Sequence, residues 1–415
     1  MNHPARITVV TSGHLSTCPR MLKAADALAA RGFSVRGVAT SFEPWAAAAD
    51  RDLQERRAWP ATIVDYRRDS NPATYWRSGV RYHAARRVVS ACGARHLPLG
   101  IVARAFGRVH VELVRAATAA PADFLYGGTT GGLAATAEAA DRLGVPFALD
   151  LEDFHSGEIN GTGDALTRDL ATRIESSVLP RARFLTAGSG AIADAYRERY
   201  GVRPVVLNNT FPLPDRAPEV SSTSGRGLRL YWFSQTIGPD RGLEDAVAAM
   251  GRANLQGELS VRGHALPGYI ERLRHLAADA APRLSIVSLP PAPPDTMIDL
   301  ARGYDVGLAL EQMTVLNRQI CLTNKAFTYI LAGVAVAMTD TPGQHALGVD
   351  LGCGAALVPP HDIDALAGAF VRWASDPAAL TRAKQAAWNA AVRRWHWEHE
   401  EERGRLLTLV GAALS

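Results

Sequence analysis

Short apolar runs alternate with longer amphipathic stretches along the first half of the chain. Residues 7–10 form the first run, and residues 20–31 then place Met21, Leu22 and Leu28 on one face of a predicted helix. The pattern continues with predicted strands at 34–38, 63–64, 124–126, 147–149, 184–186 and 205–207, a helix that opens at the glycine-rich turn 127–132 and runs to 143, and another at 189–200. Strands that alternate with helices predict a parallel, doubly wound α/β sheet.

A segment rich in proline, serine and glycine, residues 211–227, is followed by a second half with the same alternation. Strands are predicted at 228–233, 259–261, 284–287, 305–311 and 334–338, and helices at 243–250, 269–278, 295–302 and 323–333. A chain of 415 residues is too long for one ordinary core. We therefore expect a domain at 1–210, a linker at 211–227, a second domain at 228–390 and a final helical segment at 391–415.

Polar residues crowd one point of the second half, between residues 305 and 344. Glu311 ends a predicted buried strand, Asn317 and Arg318 follow in a polar loop, and Asn324 and Lys325 open the next predicted helix. The N-terminus of a helix attracts anions through its free N–H groups and its dipole. A lysine there opposes the dipole, which favours a bound anion over simple capping. The pattern suits a nucleotide diphosphate joined to a polyol such as a sugar.

This order of residues resembles the C-terminal donor site of GT-B glycosyltransferases, in particular the family 4-like group. There an acidic strand end, a loop and a helix ending in NK-x-F-x-Y-x-x-A-G follow one another. Residues 150–158, 186–209 and 231–242 are similar to further elements of that family, with a gap at about 45–118. The resemblance implies two doubly wound Rossmann-like domains facing across a cleft, with the last helix crossing back to the first domain.

The resemblance also implies an activity: transfer of a sugar from a nucleotide diphosphate sugar to an acceptor hydroxyl, with retention of configuration. No metal and no cofactor beyond the nucleotide diphosphate sugar is expected, since no DxD-type motif is evident and cations would stabilise the leaving diphosphate. The acceptor would be a glycan, a lipid-linked molecule or a small molecule.

Matching positions give the candidate site residues, which fall into three groups. The catalytic candidates are Arg241, Lys325 and Glu311. The donor-binding candidates are Gln235, Asn317, Arg318, Thr323, Asn324 and Thr328. The acceptor-binding candidates are His14, Arg20, Glu152, Asp153 and His155. Each has a plainer reading: the two histidines suit ordinary loop positions equally well, Arg241 suits a surface turn, and the glycines at 127–132 suit close packing of a helix on a strand.

The chain also departs from the family pattern. Family 4 enzymes carry two glutamates eight positions apart near the donor, and the corresponding positions here hold Ile320 and Thr328. Either Glu311 supplies the missing carboxylate, or sugar recognition passes to Asn317 and Arg318. Two rival functions therefore stay open, a non-catalytic GT-B partner protein and a sugar-nucleotide epimerase on the same fold. The sequence argues against a dehydrogenase, because no G-x-G-x-x-G follows the first strand.

Composition is that of a globular protein with a net charge of +4, but the charge is uneven. Residues 77–115 contain eight arginines and a single acid, Glu112. This stretch suits either a solvated helix face or peripheral contact with an anionic membrane, whereas no nucleic-acid motif accompanies it. Four scattered cysteines and the lack of an apolar run of about 18 residues lead us to expect a cytoplasmic protein, with membrane contact at the inner face through 77–115.

Overall fold

The computed structural model describes residues 3–158, 165–219 and 227–415. Two compact units form the chain: the first contains Met1–Asn208 and Arg403–Ser415, and the second contains Asn209–Glu402. Of the expected linker, residues 220–226 lie outside the described residues, and the remainder belongs to the second unit. None of the helices in the described ranges has the length and apolar character needed to cross a bilayer.

The first unit contains a seven-stranded parallel sheet in the order β3-β2-β1-β4-β5-β6-β7. Its strands are β1 (Arg6–Thr11), β2 (Ser34–Ser41), β3 (Ala61–Asp65), β4 (Phe124–Gly128), β5 (Phe147–Leu151), β6 (Leu185–Ala187) and β7 (Val205–Val206). Its helices are α1 (Pro19–Ala30), α2 (Pro44–Glu55), α3 (Pro72–Cys92), α4 (Leu99–Phe106), α5 (His110–Ala117), α6 (Thr130–Leu143), α7 (Ala165–Val178) and α8 (Gly190–Tyr200). The last helix, α17 (Arg405–Leu414), belongs to this unit as well, and Arg405 donates to the carbonyl of Val206.

The second unit contains a six-stranded parallel sheet in the order β10-β9-β8-β11-β12-β13. Its strands are β8 (Leu228–Ile237), β9 (Gly257–Ala265), β10 (Leu284–Leu289), β11 (Val306–Ala309), β12 (Ala335–Thr339) and β13 (Ala355–Val358). Its helices are α9 (Leu243–Arg252), α10 (Tyr269–Ala280), α11 (Met297–Ala301), α12 (Leu316–Ile320), α13 (Asn324–Leu331), α14 (His345–Leu351), α15 (Ile363–Ser375) and α16 (Pro377–Arg393). Both orders reverse direction once, which is the doubly wound arrangement that the alternation predicted.

Apolar packing between sheet and helices explains why these strands are buried on both faces. Val306, Leu308 and Ala335 face one core with α9 and α15, while Val336 and Met338 face a second core with α13 and α16. Glycines let helices approach the strands closely: a Cβ on Gly127 would lie 1.9 Å from Oγ1 of Thr136. Parallel strands covered on both faces are the reason the sequence shows continuous apolar runs rather than alternation.

Several elements differ from the expectation. Strand β5 continues through Asp150, which pairs with Gly128 and Thr186 in the ladder and so lies inside the sheet. The loop expected before residue 323 contains the short helix α12, on which Asn317 and Arg318 lie. Strand β11 ends at Ala309, so Glu311 follows the strand instead of ending it. Helices α2, α7, α14 and α15 and strand β13 had no counterpart in the sequence pattern.

Candidate functional site

The order of strands in the second sheet places two loops side by side at its carboxyl edge. Strand β8 leads away to β9 and β10 on one side, and β11 leads to β12 and β13 on the other. Such a reversal leaves a crevice outside the strand ends, where open α/β sheets bind ligands. The loop after β8 carries Arg241, and the loop after β11 carries Glu311. Two catalytic candidates that are 70 positions apart in sequence therefore share this edge.

Glu311 is the centre of the site, with only 4% of its surface exposed. Its two carboxylate oxygens bind different cations: Lys325 Nζ lies 2.8 Å from Oε1, and Arg318 Nη1 lies 3.1 Å from Oε2. Lys325 comes from the first turn of α13 and Arg318 from α12. The fold thus brings together three of the sequence candidates from three separate elements.

Electrostatics confirm that positive charge dominates around Glu311. Burial by itself raises the pKa of this carboxyl, but the charge and hydrogen bond of Lys325, and then the charges of Arg318 and Arg241, outweigh it and lower that pKa to about 2. Burial lowers the pKa of the half-buried Arg241, and the neighbouring charge of Arg318 lowers it further. Two cations therefore bind this carboxylate directly, and the charge of a third, Arg241, also acts on it.

Backbone geometry fixes the loop that carries Arg241. Gly242 has φ +72°, and a Cβ there would lie 2.4 Å from the carbonyl oxygen of Leu310. The position therefore requires glycine both for its conformation and for its contact. Next to it, Gln312 Nε2 donates to Leu310 O at 3.2 Å and to Asp245 at 3.1 Å. These contacts join the loop after β8 to the loop after β11, and so set Arg241 relative to Glu311.

The first turn of α13 lies at the same edge. Thr323 is its N-cap residue, and its side chain makes no capping hydrogen bond. Thr323 is buried, Asn324 is half-buried, and the Lys325 ammonium lies 5.7 Å from the centre of the Trp232 ring. Trp232 lies in the middle of β8, so its ring and Glu311 together orient Lys325.

The remaining donor candidates are less directly connected to this cluster. Thr328 is buried, and its hydroxyl donates to the carbonyl of Asn324 one turn earlier at 3.4 Å. Gln235 is exposed at an irregularity in β8, where the register to β9 shifts between residues 233 and 236. Asn317 is half-buried on α12. Thr328 therefore bonds within its own helix and Gln235 faces solvent, while Asn317 lies one position before Arg318 on α12.

Two polar residues behind the cluster escaped the sequence reasoning. Thr339, at the end of β12, donates to the backbone carbonyl of Glu311 at 2.8 Å. Gln344 is fully buried, and its Nε2 donates to the carbonyls of Ala309 and Thr339, both at 3.0 Å. These bonds hold the chain on either side of Glu311. The sequence T-D-T-P-G-Q after a buried strand was the available signal, but it suggested only a tight turn.

The first unit has its own crevice, between β1 and β4, and two hydroxyl residues lie there. Ser12 Oγ lies 2.9 Å from Thr129 Oγ1, and the backbone N–H of Ser12 donates to the same oxygen at 2.9 Å. Thr129 adopts φ +64°, a conformation that a β-branched residue takes only when its surroundings impose it. Neither residue was a candidate, although the run G-G-T-T-G-G after a strand was visible.

His14 and Arg20 occupy positions that leave their polar atoms engaged inside the unit. His14 is fully buried; Nδ1 lies 2.8 Å from Asp50 Oδ2, and Nε2 accepts the N–H groups of Phe42 and Glu43. Arg20 binds Asp150 through two nitrogens, at 2.8 and 2.5 Å, and donates to the carbonyl of Leu207 at 2.6 Å. This geometry holds loops and strands together, and it leaves no ring nitrogen of His14 for an acceptor.

Glu152, Asp153 and His155 follow β5 at the carboxyl edge. Burial raises the pKa of Glu152, as does the adjacent charge of Asp153, to about 7. The ring of His155 is buried, with Nδ1 at 2.9 Å from Glu158 Oε1 and 3.0 Å from Thr130 Oγ1. Burial lowers its pKa, but the hydrogen bond and charge of Glu158 dominate and raise it to about 9. Of the acceptor candidates, the half-buried Glu152 and Asp153 are the more accessible.

Comparison with known proteins identifies the fold and leaves the family open. No protein-family model matches the chain, and no curated protein matches it significantly. It is similar to HepE from Anabaena in complex with UDP, at 15% identity and a TM-score of 0.66, with 99% of each chain covered. Sucrose-phosphate synthase from Thermosynechococcus elongatus is similar at 15% identity and a TM-score of 0.64, with 99% of this chain and 100% of that chain covered.

A TarM mutant from S. aureus in complex with Fondaparinux, alpha-GlcNAc-glycerol and UDP is also similar. It shares 7% identity and a TM-score of 0.64, with 99% of this chain and 100% of that chain covered. At such identities the likeness concerns the fold. The expected GT-B fold class is confirmed, since this chain has two parallel α/β sheets, of seven and six strands, and resembles these glycosyltransferase structures along nearly its whole length.

Proposed function

We propose that the chain is a glycosyltransferase that moves a sugar from a nucleotide diphosphate sugar to an acceptor hydroxyl. One observation carries the proposal: at the crevice of the second sheet, Lys325 and Arg318 bind the buried carboxylate of Glu311, and the charge of Arg241 also acts on it. Solved structures of the same fold have UDP or UDP-glucose bound, which makes a uridine diphosphate the first donor to test. The fold supplies the crevice, and the charge supplies the reason for an anionic ligand.

A diphosphate fits this cluster on charge and on chemistry. It carries two or more negative charges, and its charge grows as the bond to the sugar breaks. Arg241 and Lys325 would stabilise that leaving group, because fixed cations in a half-buried site act without reorganisation. Glu311 holds Lys325 and Arg318 at 2.8 and 3.1 Å, so the cations are already in position before the donor binds. Asn317, Asn324 and Thr323 would bind polar groups of the donor around them.

The acceptor site would lie in the first unit, at the carboxyl edge of β5. Glu152 suits a hydroxyl acceptor, because a carboxyl with a pKa near 7 exchanges a proton readily at neutral pH. Asp153 and His155 lie beside it, and we propose the three together as the acceptor site. Retention of configuration is proposed from the resemblance to family 4. It is tested by the anomer first released when the donor is hydrolysed slowly without acceptor.

The first experiment is a thermal-shift titration with UDP, GDP, ADP, TDP and their sugars. The chain offers a matched control for Lys325: Lys384 Nζ lies 2.7 Å from Asp305 Oδ1 in the same unit, and both lysine side chains are largely buried, 11% exposed for Lys325 and 7% for Lys384. Asp305 precedes β11, so this second pair lies at the amino edge of the sheet. We expect one nucleotide to raise the unfolding temperature of the wild type and of Lys384→Met. The same nucleotide should leave the unfolding temperature of Lys325→Met unchanged.

Other outcomes point to the two rivals. If no nucleotide raises the unfolding temperature of the wild type or of Lys384→Met, the site binds no donor. The non-catalytic partner protein then becomes the better description. If a sugar nucleotide binds and is converted to an isomer without any acceptor, the protein is an epimerase. Release of free nucleotide that depends on an added acceptor hydroxyl supports transfer.

A further inference from the structure

Helix α3 does not turn its large apolar side chains towards the unit, as a surface helix normally does. The face that packs on the unit carries mostly small or polar residues, namely Thr74, Ser78, Gly79, Ala85 and Val89. The opposite face exposes large apolar side chains: Trp76 is 58% exposed, Val80 68% and Val88 42%. A surface helix normally turns its apolar stripe inward. Burying this outward stripe against another surface would remove its large apolar side chains from water.

Positive charge lies along the same stripe. Arg77, His83 and Arg87 are exposed between the apolar side chains, and Arg68 lies 5.7 Å from the centre of the Trp76 ring. From residue 70 to residue 111 the sequence contains no acid. The nearest preceding acids, Asp65 and Asp69, both face Arg67, at 3.5 and 3.6 Å. The stripe thus combines exposed tryptophan and valine with Arg77 and Arg87, for which the described residues show no acidic partner.

Only part of the arginine-rich segment 77–115 contributes to this stripe. Arg81 binds Glu112, and Arg108 is half-buried, with its guanidinium 4.1 Å from the centre of the Tyr75 ring and donating to Tyr75 O at 2.6 Å. Arg86 donates to Tyr82 and to Thr167. These arginines hold α3 onto the unit, so the exposed stripe is a smaller and better defined surface than the sequence suggested.

A shallow hollow opens beside the stripe. Its volume is about 500 Å³, and its lining consists of His83, Arg86, Arg87, Ser90, Ala91 and Leu166. Two arginines and a histidine around one hollow suit a phosphate group. The stripe runs along a helix of 21 residues, which is about 30 Å long.

We propose that the exposed face of α3, formed by Trp76, Arg77, Val80, His83, Arg87 and Val88, binds the surface of an anionic lipid bilayer. Tryptophan sits favourably at the headgroup level, and arginines reach phosphates while their stems cover apolar surface. Each arginine near an anionic membrane contributes about 1 kcal/mol, and the valines and tryptophan add burial. The proposal does not depend on glycosyl transfer, because it rests on another face of another unit.

The test is sedimentation of the full chain with vesicles of phosphatidylcholine alone, or with about one third phosphatidylglycerol. We expect binding only to the anionic vesicles, weakened by added salt. Arg77→Gln with Arg87→Gln should lower the partition coefficient about 30-fold, as expected for two arginines at the surface. Trp76→Gln with Val80→Gln should lower it as well, and this effect should persist at high salt.

Matched controls come from the second unit. Val349 is 62% exposed on α14 and Arg274 is exposed on α10, so Val349→Gln and Arg274→Gln remove comparable side chains from another surface. Both should bind vesicles like the wild type, and all variants should unfold at the same temperature because the changed residues are exposed. Wild-type protein that ignores anionic vesicles, or double variants that bind unchanged, would overturn the proposal. So would a dimer in ultracentrifugation that the Trp76 and Val80 changes dissociate, since the stripe would then be an interface between copies.

Discussion

Lys325 and Glu311 form a buried ion pair, with Nζ 2.8 Å from Oε1. The other carboxylate oxygen of Glu311 binds a second cation, Arg318. The pair between Lys384 and Asp305 differs in this respect, because the second oxygen of Asp305 accepts the backbone N–H of Arg229 at 3.1 Å. One arrangement is a cation cluster with a carboxylate at its centre, and the other is an ion pair bonded into the sheet. This difference between the two edges of the sheet is the physical basis for assigning a ligand to the Glu311 cluster and none to the Lys384–Asp305 pair.

The Glu311 cluster should respond differently to single and double changes. Lys325→Met leaves the buried carboxylate with Arg318 as its direct partner, and removing one side of a buried pair costs about 3 kcal/mol. Thermal unfolding should therefore occur at a lower temperature. The double variant Lys325→Met, Glu311→Gln should regain most of the lost stability, since neither charge stays buried, yet it should not regain nucleotide binding. A double variant that binds nucleotide normally would remove Lys325 from the site.

Glu311 should also make stability depend on acid pH. Its pKa is lowered from 4.5 to about 2 in the folded state. A carboxyl with a lowered pKa stabilises the fold above its unfolded pKa, and that contribution is lost as pH falls from about 4.5 towards 2. Unfolding temperature measured over this window should fall more steeply for the wild type than for Glu311→Gln. Parallel curves for the two proteins would show that the cations do not act on this carboxyl.

Most strands other than β13, and the proximity of the candidates Glu311, Arg318 and Lys325, could be predicted from the sequence, and the reasons are local. Residues 305–344 contain a buried strand, a polar segment, a helix start and the glycine stop at Gly333, which has φ +67°. Each of these is a short-range signal, so Glu311, Arg318 and Lys325 could be placed before the structure was known. Their shared contacts follow from the strand order, since β11 lies next to β8.

The sequence could not show which polar side chains make their hydrogen bonds and ion pairs inside the fold. Arg20 and Asp150 are 130 positions apart, and nothing local predicts that their side chains meet. Asp150 was expected at a strand end, but its pairing with Thr186 continues β5 past it. The 77–115 stretch was expected to be helical, but the bounds of α3 and its packing face could not be predicted, because its apolar residues do not form the usual single inward stripe.

Arg20 should therefore affect stability more than acceptor binding. Arg20→Lys keeps the charge but loses the two-nitrogen bond to Asp150 and the bond to Leu207 O, at a cost of about 2 kcal/mol. This corresponds to a fall in unfolding temperature of about 5 °C for a unit of this size. Once an acceptor is known, its KM should stay unchanged at a temperature where the variant is folded. A raised KM with unchanged stability would restore Arg20 as an acceptor contact.

Glu152 should give the opposite pH dependence from Glu311. Burial and the charge of Asp153 raise its pKa from 4.5 to about 7, so the folded state holds this proton more tightly than the unfolded state. The contribution of Glu152 to the free energy of unfolding is greatest below pH 4.5 and is lost as pH rises towards 7. Glu152→Gln cannot ionise, and it should unfold at a higher temperature than the wild type at pH 8 but not at pH 4.

A control and an activity measurement separate this effect from general changes in charge. Glu198 is exposed on α8 of the same unit, so Glu198→Gln should leave the difference between pH 4 and pH 8 unchanged. A carboxylate that is kept at such a cost to the fold is expected to act on a ligand. Glu152→Gln should therefore lower transfer to the acceptor while the thermal shift with nucleotide stays normal. A variant that is more stable at pH 8 and fully active would show that Glu152 strains the fold without serving the acceptor.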